Sequence, residues 1–138
     1  MTGKGVTKLV LVLALVAAVT AVSAARRKDD QAERGRYLVE EIGMCGECHT
    51  PRDSAGELDR SRWLQGAPVW FQPINPVQDW AYAAPPIAGL GSFTREQTLQ
   101  VLERGLGPQG NTVRRPMHRY HMKPDDAEAI VSYLQSLK

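Results

Sequence analysis

The chain has 138 residues, 43% of them hydrophobic, with 17 basic and 15 acidic side chains and 2 cysteines, which suits one small domain. Its formal net charge is only +2, and Lys4 and Lys8 near the N-terminus account for that excess, so the rest of the chain is neutral. A nucleic-acid binder, which needs a basic surplus, is thereby disfavoured, and no internal repeat or low-complexity tract suggests a solenoid or linker protein.

Residues 1–25 read as a secretory signal peptide. Lys4 and Lys8 form a positive leader, Leu9 to Val22 is apolar apart from Thr20, and Val22-Ser23-Ala24 offers small residues for cleavage. The apolar run is somewhat short of the roughly 20 residues of a spanning helix, and an uncleaved N-terminal membrane anchor is the alternative. Both readings export residues 26–138 as the folded domain, to the periplasm or its equivalent, free or membrane-anchored.

A first helix is expected from Asp30 to Ile42, with Tyr37, Leu38 and Ile42 on one face and Gly43 at its end. Directly after it stands Cys45-Gly46-Glu47-Cys48-His49, which uses both cysteines of the chain. This C-x-x-C-H pentapeptide is the attachment pattern of a c-type haem. Two thiols at this spacing reach two vinyl groups on one porphyrin edge, and the histidine that follows is carried under the iron as its proximal ligand. One covalent haem c per chain is expected. Three other chemistries use the same residues: half of a four-ligand zinc site, which lacks a second Cys or His pair at zinc spacing; a thioredoxin-like pair, which needs a preceding strand; and a structural disulfide, which would close a very small loop.

From Thr50 to Ser92 the chain is rich in proline (Pro51, Pro68, Pro73, Pro76, Pro85, Pro86). So long an irregular segment fits a small domain if it wraps a cofactor. A short helix is expected near Val77 to Ala84, and Trp63, Leu64, Trp70, Phe71, Trp80 and Ile87 are candidates for haem contact or for ordinary core packing. A second helix starts at Thr94, where Gln97 completes a capping box, and stops at Gly105. A third begins at Pro124, carries Asp125, Asp126 and Glu128 in its first turn, and aligns Ala127, Ile130, Val131 and Leu134 on one stripe running almost to Lys138. Between them, Arg104, Arg114, Arg115, Arg119 and Lys123 lie in a stretch without an acid. A body this small buries a modest core, so a central haem would supply much of its apolar volume.

The chain resembles the class I cytochromes c over essentially all of residues 26–138. The similarity rests on Gly35-Arg36-Tyr37-Leu38, Cys45 to His49 with Thr50-Pro51-Arg52, Arg62-Trp63-Leu64-Gln65-Gly66, and Arg115-Pro116-Met117-His118-Arg119-Tyr120 ahead of a last helix ending Tyr133-Leu134. The resemblance implies an all-α cytochrome c fold around one haem, with Gly35 of the first helix admitting Tyr133 of the last. It implies Met117 as the sixth ligand of the iron, beside His49. Met122 is the rival and is read as core, while His118 and His121 are read as loop residues that leave a bis-histidine site as a further alternative. The family's carbonyl acceptor for the proximal imidazole would fall at Arg62, two residues before Leu64.

An iron filled on both sides has no open position for substrate, so electron transfer rather than catalysis is the expected role. The expected protein is a high-potential one-electron carrier between redox proteins of unknown identity, with no nucleic-acid partner. The alternative is a haem subunit held on a membrane-bound respiratory complex, dehydrogenase or oxidase, and a third possibility is a haem enzyme or gas sensor with a labile Met117 bond. The acid-free arginine stretch is a candidate docking surface for an acidic partner.

Overall fold

A computed structural model describes residues 3–137, with side chains from residue 8 onward. The Lys4 side chain and Lys138 lie outside the described residues. The chain divides at Asp30 into two compact units.

In the first unit, helix α1 (Gly3–Tyr37) carries the apolar run, and the large side chains Leu9, Val10, Leu11, Val12, Leu13, Leu15, Val16, Val19 and Val22 are all exposed. An 18-residue window reaches a mean hydropathy of 2.3, long and apolar enough to cross a membrane and equally suited to an export signal.

The second unit is helical with one minimal sheet. Helix α1 enters it and passes into a π-helical turn (Leu38–Ile42), followed by α2 (Gly46–His49), α3 (Arg95–Arg104) and α4 (Pro124–Ser136), with 3₁₀ turns at Arg60–Arg62 and Ala88–Leu90. Strands β1 (Ala67–Pro68) and β2 (Ala83–Ala84) pair antiparallel, Ala67 with Ala84 and Pro68 with Ala83. The all-α expectation is corrected to that extent. Pro68 has no N–H to donate, which keeps the ladder short, and nothing in Ala-Pro or Ala-Ala signals a strand.

The expected caps of α3 are present. The Thr94 hydroxyl accepts from Gln97 N, the Gln97 side chain accepts from Thr94 N, and Gly105 ends the helix in the left-handed region. Helix α4 has Pro124 in its first turn, with Asp125 and Asp126. It buries Ala127, Ile130, Val131 and Leu134 as expected, and Ala129 and Tyr133 as well.

The face of the first helix differs from expectation. Gly35, Leu38 and Val39 are buried, whereas Tyr37 and Ile42 are 47% and 56% exposed. The cause is the crossing with α4. A Cβ on Gly35 would lie 1.9 Å from the Ala129 carbonyl oxygen and 2.8 Å from Tyr133 Cβ, so the absent side chain sets which face approaches α4. Tyr133 is part of that contact, as the resemblance implies, but the Ala129 backbone comes closer.

The helix expected near Val77 to Ala84 does not form. Instead the chain between β1 and β2 makes an arm, closed at its base by a bond from Val69 N to the Tyr82 carbonyl (2.9 Å). The core comprises Leu38, Val39, Leu64, Leu90, Leu102 and the inner face of α4.

Candidate cofactor site

The π turn positions the cysteines. Gly43 N donates to Leu38 O (2.7 Å) and Cys45 N to Val39 O (3.0 Å), so the widened turn swings the chain out of the helix and into the motif. Tyr120 braces this corner, its hydroxyl donating to the Gly43 carbonyl at 3.3 Å. Cys45 then caps the one-turn helix α2, and His49 N donates back to the Cys45 carbonyl (3.0 Å). Thr50 locks the far end, its buried Oγ1 accepting from Leu64 N at 3.0 Å.

Cys45, Cys48 and His49 line a cavity of about 510 Å³, within the size range of roughly 300–1,000 Å³ typical of small-molecule and cofactor sites. Its wall is mainly apolar, with Val39, Ile87, Leu90, Phe93, Val101, Leu102, Ile130 and Leu134 contributing. These residues fit a haem: an apolar slot for a flat macrocycle, two free thiols at its edge and an imidazole on the wall.

His49 is buried, and its Nδ1 lies 2.7 Å from the Pro85 carbonyl oxygen. Since a carbonyl only accepts, Nδ1 carries the proton and Nε2 keeps the free lone pair, the tautomer a metal ligand needs. Burial lowers the His49 pKa, with the Pro85 bond opposing it, and favours the neutral ring. The resemblance puts this acceptor at Arg62, and the structure corrects it to Pro85. The available signal was a second match to the same spacing, Pro85 two residues before the aliphatic Ile87. Gly66 pins the segment, because its N–H donates to the His49 carbonyl (2.7 Å) and a Cβ there would stand 2.7 Å from Pro86 N.

The thiols are not those of a thioredoxin-like pair. Burial pushes Cys45 up to about 11 and raises Cys48, whereas a redox-active thiol is held low. Among the described residues, no three or more His, Cys, Asp or Glu side chains are grouped so as to hold a metal ion.

Met117, His118 and Met122 all lie on the cavity wall, and His121 is exposed away from it. Met122 also packs on the core, and its backbone N donates to Leu102 O at 3.1 Å, in keeping with a packing role. The His118 ring is T-stacked on Tyr120 with centroids 4.9 Å apart. Of the six side chains proposed as haem contacts, only Ile87 lines the cavity among the described residues. Leu64 is buried in the core, Trp63 packs over Gly46 and donates to the Tyr133 hydroxyl (3.3 Å), and Trp70, Phe71 and Trp80 stack edge-to-face on the arm. Leu64 and Trp63 thus follow the core-packing alternative, and Trp70, Phe71 and Trp80 pack on one another instead of on the cavity, because composition gives no direction to side chains in an irregular segment.

No protein-family model matches the chain. It is 34% identical over 119 residues to the fructose dehydrogenase cytochrome subunit of Gluconobacter japonicus, covering 79% of this chain and 22% of that protein. It is 32% identical over 130 residues to the gluconate 2-dehydrogenase cytochrome c subunit of Pantoea cypripedii, covering 86% of this chain and 29% of that one. A 36-residue stretch, 26% of the chain, is 69% identical to a dihaem c-type cytochrome of Cereibacter sphaeroides and spans 12% of its length. The chain thus spans less than a third of the length of each of these relatives. Together the similarities support a c-type cytochrome.

Proposed function

We propose that the chain binds one haem c through Cys45 and Cys48, with His49 and Met117 as axial ligands, and passes single electrons as the cytochrome subunit of a membrane-associated dehydrogenase. The observation that carries the cofactor assignment is the convergence of both thiols, the neutral His49 ring and Met117 on one apolar cavity. The cytochrome subunits among its relatives favour a subunit over a freely diffusing carrier.

When bound, the haem supplies the one-electron couple, and the protein sets its conditions. The Pro85 carbonyl fixes the His49 ring and increases its basicity. The apolar wall excludes water and disfavours the additional positive charge of the ferric state, which raises the potential. The class I monohaem fold is supported by the Gly35 crossing with α4. Residues 1–25 serve as the export signal or the anchor, which places the haem unit on the periplasmic side.

The test is purification of the chain from its native membranes in mild detergent, followed by sizing and acid-acetone extraction. Haem retained on the polypeptide in a complex with a dehydrogenase is the expected result. A lone, haem-loaded chain would favour the free carrier, and haem released into the solvent would overturn the covalent assignment.

A further inference from the structure

The arm between β1 and β2 reaches the cavity only through Val69 and Ala81, and it is held at both ends. The Arg52 guanidinium stacks 4.9 Å from the Trp70 ring, Phe71 sits edge-to-face against both Trp70 and Trp80, Arg114 Nη2 donates to the Trp80 carbonyl, and Ala81 N donates to the Arg115 carbonyl. So braced, the arm still presents Trp70 at 62%, Tyr82 at 66% and Ile74 at 101% exposure. Single exposed apolar residues mean little, but here one arm carries three large ones.

The same arm walls a groove of about 740 Å³, which Pro76 to Asp79 line together with Arg114, Arg115 and Arg119. Three cations face one acid there. Arg114 is tied to the arm and also lines the cofactor cavity, whereas the Arg115 and Arg119 side chains make no hydrogen bond or ion pair among the described residues. Trp, Tyr and Arg are the residue types that dominate binding energy at protein interfaces, and pre-ordered side chains lose little entropy on binding.

We propose that the 69–82 arm and the arginine groove it walls form a docking face for a protein surface that is acidic with an apolar centre. The charge excess selects the sign of the partner, and Ile74, Trp70 and Tyr82 select an apolar patch among its carboxylates. That this partner exchanges electrons rests on the function proposed above. Asn111, Val113 and Arg114 line both the groove and the cavity, so a partner seated in the groove lies next to the cofactor.

The haem-loaded chain is titrated calorimetrically at low salt with poly-L-glutamate and with a random glutamate–tyrosine copolymer (4:1) of matched length. The copolymer should bind roughly fivefold more tightly or better, and Arg115→Glu/Arg119→Glu should weaken both polymers about tenfold or more, as added salt should in the wild type. Ile74→Ser/Tyr82→Ser should abolish the copolymer's advantage while leaving polyglutamate binding unchanged. The proposal is overturned if charge reversal has no effect, if the copolymer's advantage survives the arm variant, or if phosphatidylglycerol vesicles bind more tightly than the copolymer in an Ile74-dependent way. The visible spectrum of each sample reports the cofactor separately, so a failure of the haem assignment and a failure of the docking face give different signatures.

Discussion

The Pro85 carbonyl oxygen stands 2.7 Å from His49 Nδ1, joining two segments 36 residues apart in sequence. That bond fixes which imidazole nitrogen is free, and it is made by a backbone atom that substitution at Pro85 cannot delete. The residue that controls it is Gly66, at φ +83°, whose missing Cβ lets the 84–86 segment approach. Gly66→Ala should therefore lower stability by about 1 to 3 kcal/mol, combining positive-φ strain with displacement of Pro86. Thermal unfolding followed in the haem band is the measurement, and an unchanged midpoint would remove Gly66 from this role.

The crossing of α1 and α4 is set by Gly35. Because its Cβ would strike a backbone oxygen at 1.9 Å, no rotamer change relieves the clash. Gly35→Ala should cost about 2 kcal/mol or more, and Gly35→Val more again, in denaturant unfolding of the haem-loaded protein. Wild-type stability in the alanine variant would contradict the observed packing.

Tyr133 joins three parts of the structure. Its hydroxyl donates to Glu40 Oε1 at 2.6 Å and accepts from Trp63 Nε1 at 3.3 Å, while Trp63 covers Gly46 between the two cysteines. Burial, then the bond to Glu40, pushes the Tyr133 pKa up to about 12. A folded-state value above the unfolded one, about 10, means that the neutral phenol stabilises the fold below pH 10 and that this contribution is lost as pH rises toward 12. Tyr133→Phe should cost about 1 to 2 kcal/mol at neutral pH, and its deficit relative to wild type should shrink between pH 10 and 12. A deficit constant over that window would exclude the linkage.

Arg52 is a positioning residue for the attachment turn. It pairs with Glu47, between the cysteines, at 2.5 Å, donates to the Gly56 carbonyl at 2.8 Å, and stacks on Trp70. Arg52→Lys keeps the charge but loses the planar fork, so it should reduce stability by about 1 kcal/mol and increase protease sensitivity at the 69–82 arm. Unchanged cleavage kinetics would show that the arm is braced without it.

What could be read from the sequence divides along physical lines. Local signals were readable: the Thr94–Gln97 capping box, the Gly105 stop, Pro124 with its acidic first turn and the i, i+3, i+4 stripe of α4 depend on neighbours within one turn, and all appear in the structure. The C-x-x-C-H motif is equally local, and its three side chains share one cavity. Properties set by distant partners were not readable. The buried face of α1 depends on how closely Ala129 approaches, the π turn on how the chain must leave the helix, the two-residue strands on hairpin closure, and the outward aromatics of the arm on Arg52 and Arg114. The acceptor for His49 belongs with these: Arg62 and Pro85 each stand two residues before an aliphatic side chain, and the close approach of the 84–86 segment to Gly66 decides for Pro85.

The axial set is tested most directly by the weak far-red sulfur-to-iron absorption of the ferric protein, measured in parallel on Met117→Ala and Met122→Ala. Both methionines line the cavity, but Met122 also packs on the core. With His49 and Met117 as ligands, the band should vanish in Met117→Ala, with a lower potential and new carbon monoxide binding, and persist in Met122→Ala at a stability cost of about 1 to 3 kcal/mol. A band that persists in Met117→Ala and vanishes in Met122→Ala, or one that survives in both, would contradict the assignment of Met117.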